Sequence, residues 1–203
     1  LTPLNAGLTI MMMALASLVG AILIGIILTK FGTLKLQWVT LLLAFIGISS
    51  FYWVLHAHLA IQIVTLIIIG LGLGGAMTLA SNAIMSNADD KNSGMAASIE
   101  EVSFEFGGSL GIAILGGLFS IFYSLFFNFN SNSVDLSKAK GSLDETLIQA
   151  EQLPFSISKE LIEAGKAAYD DAFSLIIIIS ILSLAFTIIL LMWMDLKQKR
   201  LPE

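Results

Sequence analysis

The chain has 203 residues, of which 57 % are hydrophobic and 12 % charged, and its mean hydropathy is +0.91. An average globular chain is about 45–50 % apolar and about 25 % charged, so this one cannot cover its apolar surface in water. A net charge of −5 repels nucleic acid, the absence of cysteine excludes disulfides and thiolate chemistry, and two histidines leave little for a metal. Disordered, nucleic-acid-binding and ordinary soluble-enzyme readings fall away, and no cofactor is expected.

A membrane helix needs roughly 20 predominantly apolar residues, because the hydrocarbon layer is about 30 Å thick and a helix rises 1.5 Å per residue. Stretches at about 8–29, 37–58, 60–85, 95–127 and 171–195 pass this test. Lipid leaves each backbone polar group to be satisfied within its own segment, so the expected fold class is all-α and integral to the membrane, with five spanning helices. Residues 1–127 then hold the first four helices, 128–170 an outer loop, 171–195 the last helix and 196–203 a tail. Lys30 and Lys35 in the first loop, and Lys197, Lys199 and Arg200 in the tail, place those ends and the C-terminus in the cytoplasm. Trp38, Tyr52, Trp53 and Trp193 near helix ends suit an aromatic belt.

The outer segment opens with an Asn/Ser-rich stretch. Ser142-Leu143-Asp144-Glu145 then reads as a capping box, with Pro154 stopping the short helix it opens. Ser158 is positioned to cap a second short helix through Lys159–Ala164. The expected arrangement is two short amphipathic helices lying against the outer surface or folding back over the bundle.

Acids within an apolar helix carry the most information. Glu100, Glu101 and Glu105 lie at the start of the fourth helix, on less than half of its circumference, together with Gly107, Gly108 and Gly111. An ionised carboxylate at mid-membrane costs roughly 2.5–3.5 kcal/mol on insertion scales, against about 0.5 returned by a leucine. Two readings stand open: interfacial acids favoured by the helix N-terminus, or acids retained for function. Desolvation and like-charged neighbours raise a carboxyl pKa, so a bound cation competes with a proton, which is the minimum chemistry of antiport. Gly72, Gly74 and Gly75 in the third helix, with Gly70, read as close helix packing or a bend; no P-loop lysine follows them. His56 and His58 are too few to make a metal site.

Together the motifs resemble a known family. Thr2-Pro3-Leu4-Asn5-Ala6-Gly7-Leu8, the Gly25–Gly32 loop followed by Lys35, and Asn92-Ser-Gly-Met-Ala-Ala-Ser-Ile-Glu-Glu101 are similar to segments of fourteen-helix drug:H⁺ antiporters of the major facilitator superfamily. So are Gly107-Gly108-x-x-Gly111-Ile-Ala113-x-x-Gly116 and the long outer loop ending Tyr169-Asp170-Asp171-Ala172-Phe173. Within that family the chain most resembles the C-terminal five helices of the Qac-type multidrug pumps. The resemblance implies export of lipophilic and quaternary ammonium cations coupled to protons, by alternating access, from the cytoplasmic membrane of a bacterium. It implies that Glu100, Glu101 and Glu105 take part in cation recognition and proton coupling. It also implies that further N-terminal helices, lipid, protons and cationic hydrophobic molecules are the partners, and that 128–170 forms a structured extracellular hairpin. The chain departs from the family at Thr29-Lys30, where an acid and an arginine are usual, and at Met11-Met12-Met13, where a proline is. The chain is accordingly expected to be a fragment that does not transport alone. The alternatives are a Na⁺ or metal-ion/proton antiporter and a non-transporting membrane subunit that needs a partner; an enzyme is the least supported.

Overall fold

The computed structural model describes residues 3–129 and 139–198. Leu1, Thr2, the Asn/Ser-rich stretch 130–138 and the tail 199–203 lie outside the described residues. The elements are α1 (Pro3–Leu28), α2 (Thr33–Trp53), α3 (Leu59–Ser86), a 3₁₀ turn at Asp90–Asn92, α4 (Ser93–Phe126), α5 (Leu143–Ala150) and α6 (Phe155–Gln198). Among the described residues there is no strand. Five of these helices, all but α5, are long and apolar enough to cross a membrane. The all-α membrane class expected from the apolar runs is the one observed.

The helices group into two compact units: residues up to Ser103 with the part of α6 from Ile179 onward, and Phe104–Ile178. In the first unit α3 packs on both α1 and α2. The cause is written in Gly70-Leu-Gly-Leu-Gly-Gly75. At 100° per residue Gly70 and Gly74 share one side of α3, and Gly72 faces the opposite way. A Cβ on Gly70 would strike the Met13 carbonyl of α1, and one on Gly74 would strike the Ser17 backbone. On the other side a Cβ at Gly72 would lie 2.5 Å from the Ala44 nitrogen and 2.8 Å from the Thr40 oxygen of α2. Gly20 and Gly47 meet α3 at backbone distance in the same way, against Leu71 and Ile69. Lipid tails are as apolar as leucine, so such van der Waals contact replaces the hydrophobic effect as the glue.

Polar groups in this unit are satisfied locally. Thr40, Thr65 and Thr78 turn their hydroxyls back to the carbonyls of Gln37, Gln62 and Gly74, at 3.0, 2.7 and 3.0 Å. Gln62 on α3 donates its amide to the carbonyls of Leu55, Ala57 and Val54, at 2.7, 3.3 and 3.4 Å. Those carbonyls belong to the link that follows α2, and that of Val54 also accepts from the Ala57 N–H at 2.9 Å. α2 stops at Trp53 although the apolar run continues to residue 58, and Gln62 holds the link that follows in place. His58 accepts from the Ala60 N–H at 3.4 Å and caps the start of α3.

The second unit departs from the sequence expectation. One short helix, α5, forms as its cap predicts: the Ser142 hydroxyl accepts from the Glu145 N–H at 3.2 Å. The expected second short helix does not exist as a separate element. α6 runs without a break from Phe155 to Gln198, 44 residues or about 66 Å. Pro154 sits just before it, where the missing N–H costs nothing, and the Ser158 N–H bonds the Pro154 carbonyl at 2.9 Å. Ser158 is therefore inside the first turn, not ahead of it. Gly165 is the one glycine in α6, and a single glycine costs about 1 kcal/mol relative to alanine, too little to end a helix. The last span and part of the outer segment are thus one rod.

The contrast among glycines gives a direct test. Gly72→Ala is expected to lower the stability of the detergent-solubilised protein by about 1–3 kcal/mol, since backbone must move to make room. Gly107→Ala, with nothing within 4 Å of the new methyl, is expected to be neutral or to stabilise by up to about 1 kcal/mol. Thermal unfolding of both variants measures the difference.

Candidate functional site

α4 opens at Ser93, after the 3₁₀ turn, and carries Glu100, Glu101 and Glu105 in its first four turns. Glu101 and Glu105 stand one turn apart on the same face, and both are exposed; Glu100 points away from them and is half-buried. Two carboxylates spaced i, i+4 repel by about 0.2–0.5 kcal/mol when both are ionised, so a proton or a cation shared near them is favoured. Among the described residues no hydrogen bond or ion pair engages any of the three. The neighbouring hydroxyls do not turn toward them: Ser98 bonds the Gly94 carbonyl at 3.0 Å and Ser103 that of Ile99 at 2.6 Å.

Gly107, Gly108 and Gly111, and beyond them Gly116 and Gly117, have nothing within 4 Å of where a Cβ would stand. The acids and these glycines therefore share an open stretch of α4, flanked by the exposed rings of Phe104 and Phe106. Gly72 and Gly74 are by contrast closed against the α2 and α1 backbones, and Gly75 against the side chains of Thr40 and Ile24. Two open grooves are lined by other residues: one of about 350 Å³ by Trp38, Leu42, Ile188, Met192, Asp195 and Leu196, and one of about 270 Å³ along the start of α6 by Phe155, Lys159 and Ile162. No group of acids or histidines among the described residues could hold a metal ion.

Sequence reasoning passed over a buried polar node in the second unit. Tyr123 on α4 is 1 % exposed and Thr146 on α5 is 0 % exposed. The Tyr123 Oη and Thr146 Oγ1 atoms are 2.7 Å apart. Thr146 donates its single proton to the Ala139 carbonyl at 2.7 Å or to that of Ser142 at 3.0 Å, so Tyr123 is the donor to Thr146. Gly165 of α6 faces the node: a Cβ there would come within 2.8 Å of the Thr146 methyl and 3.3 Å of the Tyr123 oxygen. Leu161, Ala168 and Ala172 complete the core around it. An aromatic layer lies just beneath, with Phe119 edge-on to Tyr169 at 5.1 Å and Tyr169 stacked on Phe173 at 6.2 Å. The one sequence signal for the node was helical phase: Tyr123 and Glu105 are five turns apart on the same side of α4.

Comparison with known proteins bears on this arrangement. The family described as Major Facilitator Superfamily matches residues 1–112. The multidrug efflux pump LfrA of Mycolicibacterium smegmatis is 25 % identical over 182 residues, covering 84 % of this chain and 34 % of its own length. The drug efflux pump JefA of Mycobacterium tuberculosis is 36 % identical over 118 residues, 57 % of this chain and 23 % of its own. The methyl viologen resistance protein SmvA of Salmonella typhimurium is 27 % identical over 104 residues, 50 % of this chain and 21 % of its own. The chain spans about a third or less of the length of these curated relatives. No solved structure matches it.

Because Glu101 and Glu105 are exposed and hold no partner among the described residues, Glu101→Gln and Glu105→Gln are expected to leave helicity and thermal stability unchanged, within about 0.5 kcal/mol. Circular dichroism and unfolding of the purified variants check this, and make any later loss of activity a statement about function.

Proposed function

The chain belongs to the Major Facilitator Superfamily, and on that premise we propose that it is part of a proton-coupled multidrug exporter of lipophilic cations. Its membrane character and its family speak for a transporter and against an enzyme. The observation that carries the finer reading is the depth of Glu105.

The aromatic layer at Phe119, Tyr169 and Phe173 marks one edge of the hydrocarbon. Trp193, with the Lys197 ammonium 5.3 Å from its ring, marks the other. The helix between Phe173 and Trp193 is about 30 Å long, which matches the thickness of the hydrocarbon layer. Counted down α4 from Phe119, Glu105 lies about 21 Å below that layer, and in a hydrocarbon layer about 30 Å thick this is about 10 Å short of the far edge. Glu101 is one turn nearer that edge, and Glu100 is level with the headgroups. At its depth an ionised Glu105 is unfavourable unless a cation stands beside it. A proton and an organic cation then exchange for one another at the same carboxylate, which is the coupling that antiport needs. Phe104 and Phe106 offer faces to the apolar body of such a cation.

The relatives support this substrate class: methyl viologen, in the name of one of them, is a quaternised aromatic dication. Lys30 and Lys35 in the first loop and Lys197 at the end of α6 support a cytoplasmic C-terminus in a bacterial cytoplasmic membrane. The tip made by α5, the end of α4 and the start of α6 then stands outside the cell. Helices equivalent to the remaining length of the relatives would complete the cavity by alternating access.

In cells expressing the transporter at its natural length, Glu105→Gln is expected to cut efflux of a lipophilic cation dye by about tenfold or more, the worth of one charged contact. Glu105→Asp keeps part of the activity, and a protonophore stops the wild type. Efflux by Glu105→Gln at the wild-type rate would overturn the reading. Efflux that follows a Na⁺ gradient and survives the protonophore would favour the Na⁺ alternative.

A further inference from the structure

We infer that Tyr123 is a positioning residue: its hydrogen bond to Thr146 sets the rotation of α4 about its own axis, and so the direction in which Glu105 points. The inference rests on Glu105 being the coupling acid, as proposed above.

Three observations carry it. The first is phase. Eighteen residues are five turns of 3.6, so Glu105 and Tyr123 project from the same side of α4, about 27 Å apart along it. Whatever angle Tyr123 takes, Glu105 takes with it, because both are fixed to one uninterrupted helix.

The second is that Tyr123 has one place to go. It is 1 % exposed, and its oxygen sits close beside α6, 3.3 Å from where a Cβ at residue 165 would stand. The bond is also directional. Thr146 spends its proton on a backbone carbonyl, leaving Tyr123 as donor. A side-chain tip roughly 6 Å from the helix axis moves about 2.5 Å when the helix turns by 25°. A hydrogen bond tolerates about 0.5 Å. Turning α4 therefore breaks the bond and strands a buried hydroxyl, which resists the turn.

The third is that the glycines of α4 on the membrane side of Phe119 meet no neighbour among the described residues, with nothing within 4 Å of where a Cβ would stand. The node supplies the directional contact, beside the apolar packing of Phe119, Phe122 and Phe127.

The experiment uses the full-length transporter in proteoliposomes, with Ser109→Cys as a reporter on the side of α4 that carries Glu105. Tyr123→Phe and Thr146→Val are each expected to change the rate at which a water-soluble thiol reagent labels Cys at 109, by about two- to tenfold, the worth of one hydrogen bond. The double variant is expected to do no more than either alone, since both remove the same bond. Thr146→Ser, which keeps the hydroxyl, restores the wild-type rate. In transport of a lipophilic cation dye, the same two variants raise KM by a similar factor while Vmax holds; a merely structural role would lower Vmax through loss of folded protein and leave KM alone. Unchanged labelling in both variants would overturn the inference. Changed labelling with unchanged KM would overturn the link to Glu105, and Glu105→Gln transporting like the wild type would place that failure in the functional reading, not in the node.

Discussion

In lipid, apolar surface gains nothing by meeting apolar surface, so helices must be held by how closely their backbones approach. The first unit is an answer to that constraint. α3 has its small residues on opposite sides, and α1 and α2 lie against them at backbone contact. The hydroxyls of Thr40, Thr65 and Thr78 bond within their own helices and so add no demand for an outside partner. The large side chains of α1, such as Leu18, Ile22 and Ile26, are left to point outward, the reverse of a soluble helix.

The second unit solves a different problem. Beyond the aromatic layer α4, α5 and α6 share an ordinary core. Alanines at 139, 150, 168 and 172 let α4, α5 and α6 draw together, and a buried hydroxyl pair fixes their register. A buried polar pair adds little net stability when it is satisfied, but leaving one member without the other is costly, so it selects one arrangement over its neighbours. The two units thus use contact for adhesion and a hydrogen bond for specificity.

Much of this was legible in the sequence. The five spans follow from apolar runs of sufficient length, and α5 follows from Ser142 and Glu145. The order of the motifs pointed to the family that matches residues 1–112. The glutamates stood out because charge is rare in such a context. What was not legible depends on contacts between distant residues. The link after α2 is held by Gln62, which lies in the next helix. The continuity of α6 was hidden because Pro154 and Ser158 each look like a boundary, and only the packing of Leu161 and Ala168 against α4 shows why the helix continues. Tyr123 and Thr146 are separated by 23 positions and by a stretch with no periodicity, so no local pattern could pair them.

The glycines of α4 carry a mechanical consequence. Those at 107, 108, 111, 116 and 117 lie on several sides of the helix, not in one stripe, and each stands in open space. α4 is therefore notched at these five positions, between projecting side chains such as Phe106, Leu110 and Ile112. A partner helix can come close to α4 at these gaps, whereas α3, already filled on both sides, offers none. Which of these notches faces a partner follows from the angle at which the Tyr123 phenol is held beside Gly165.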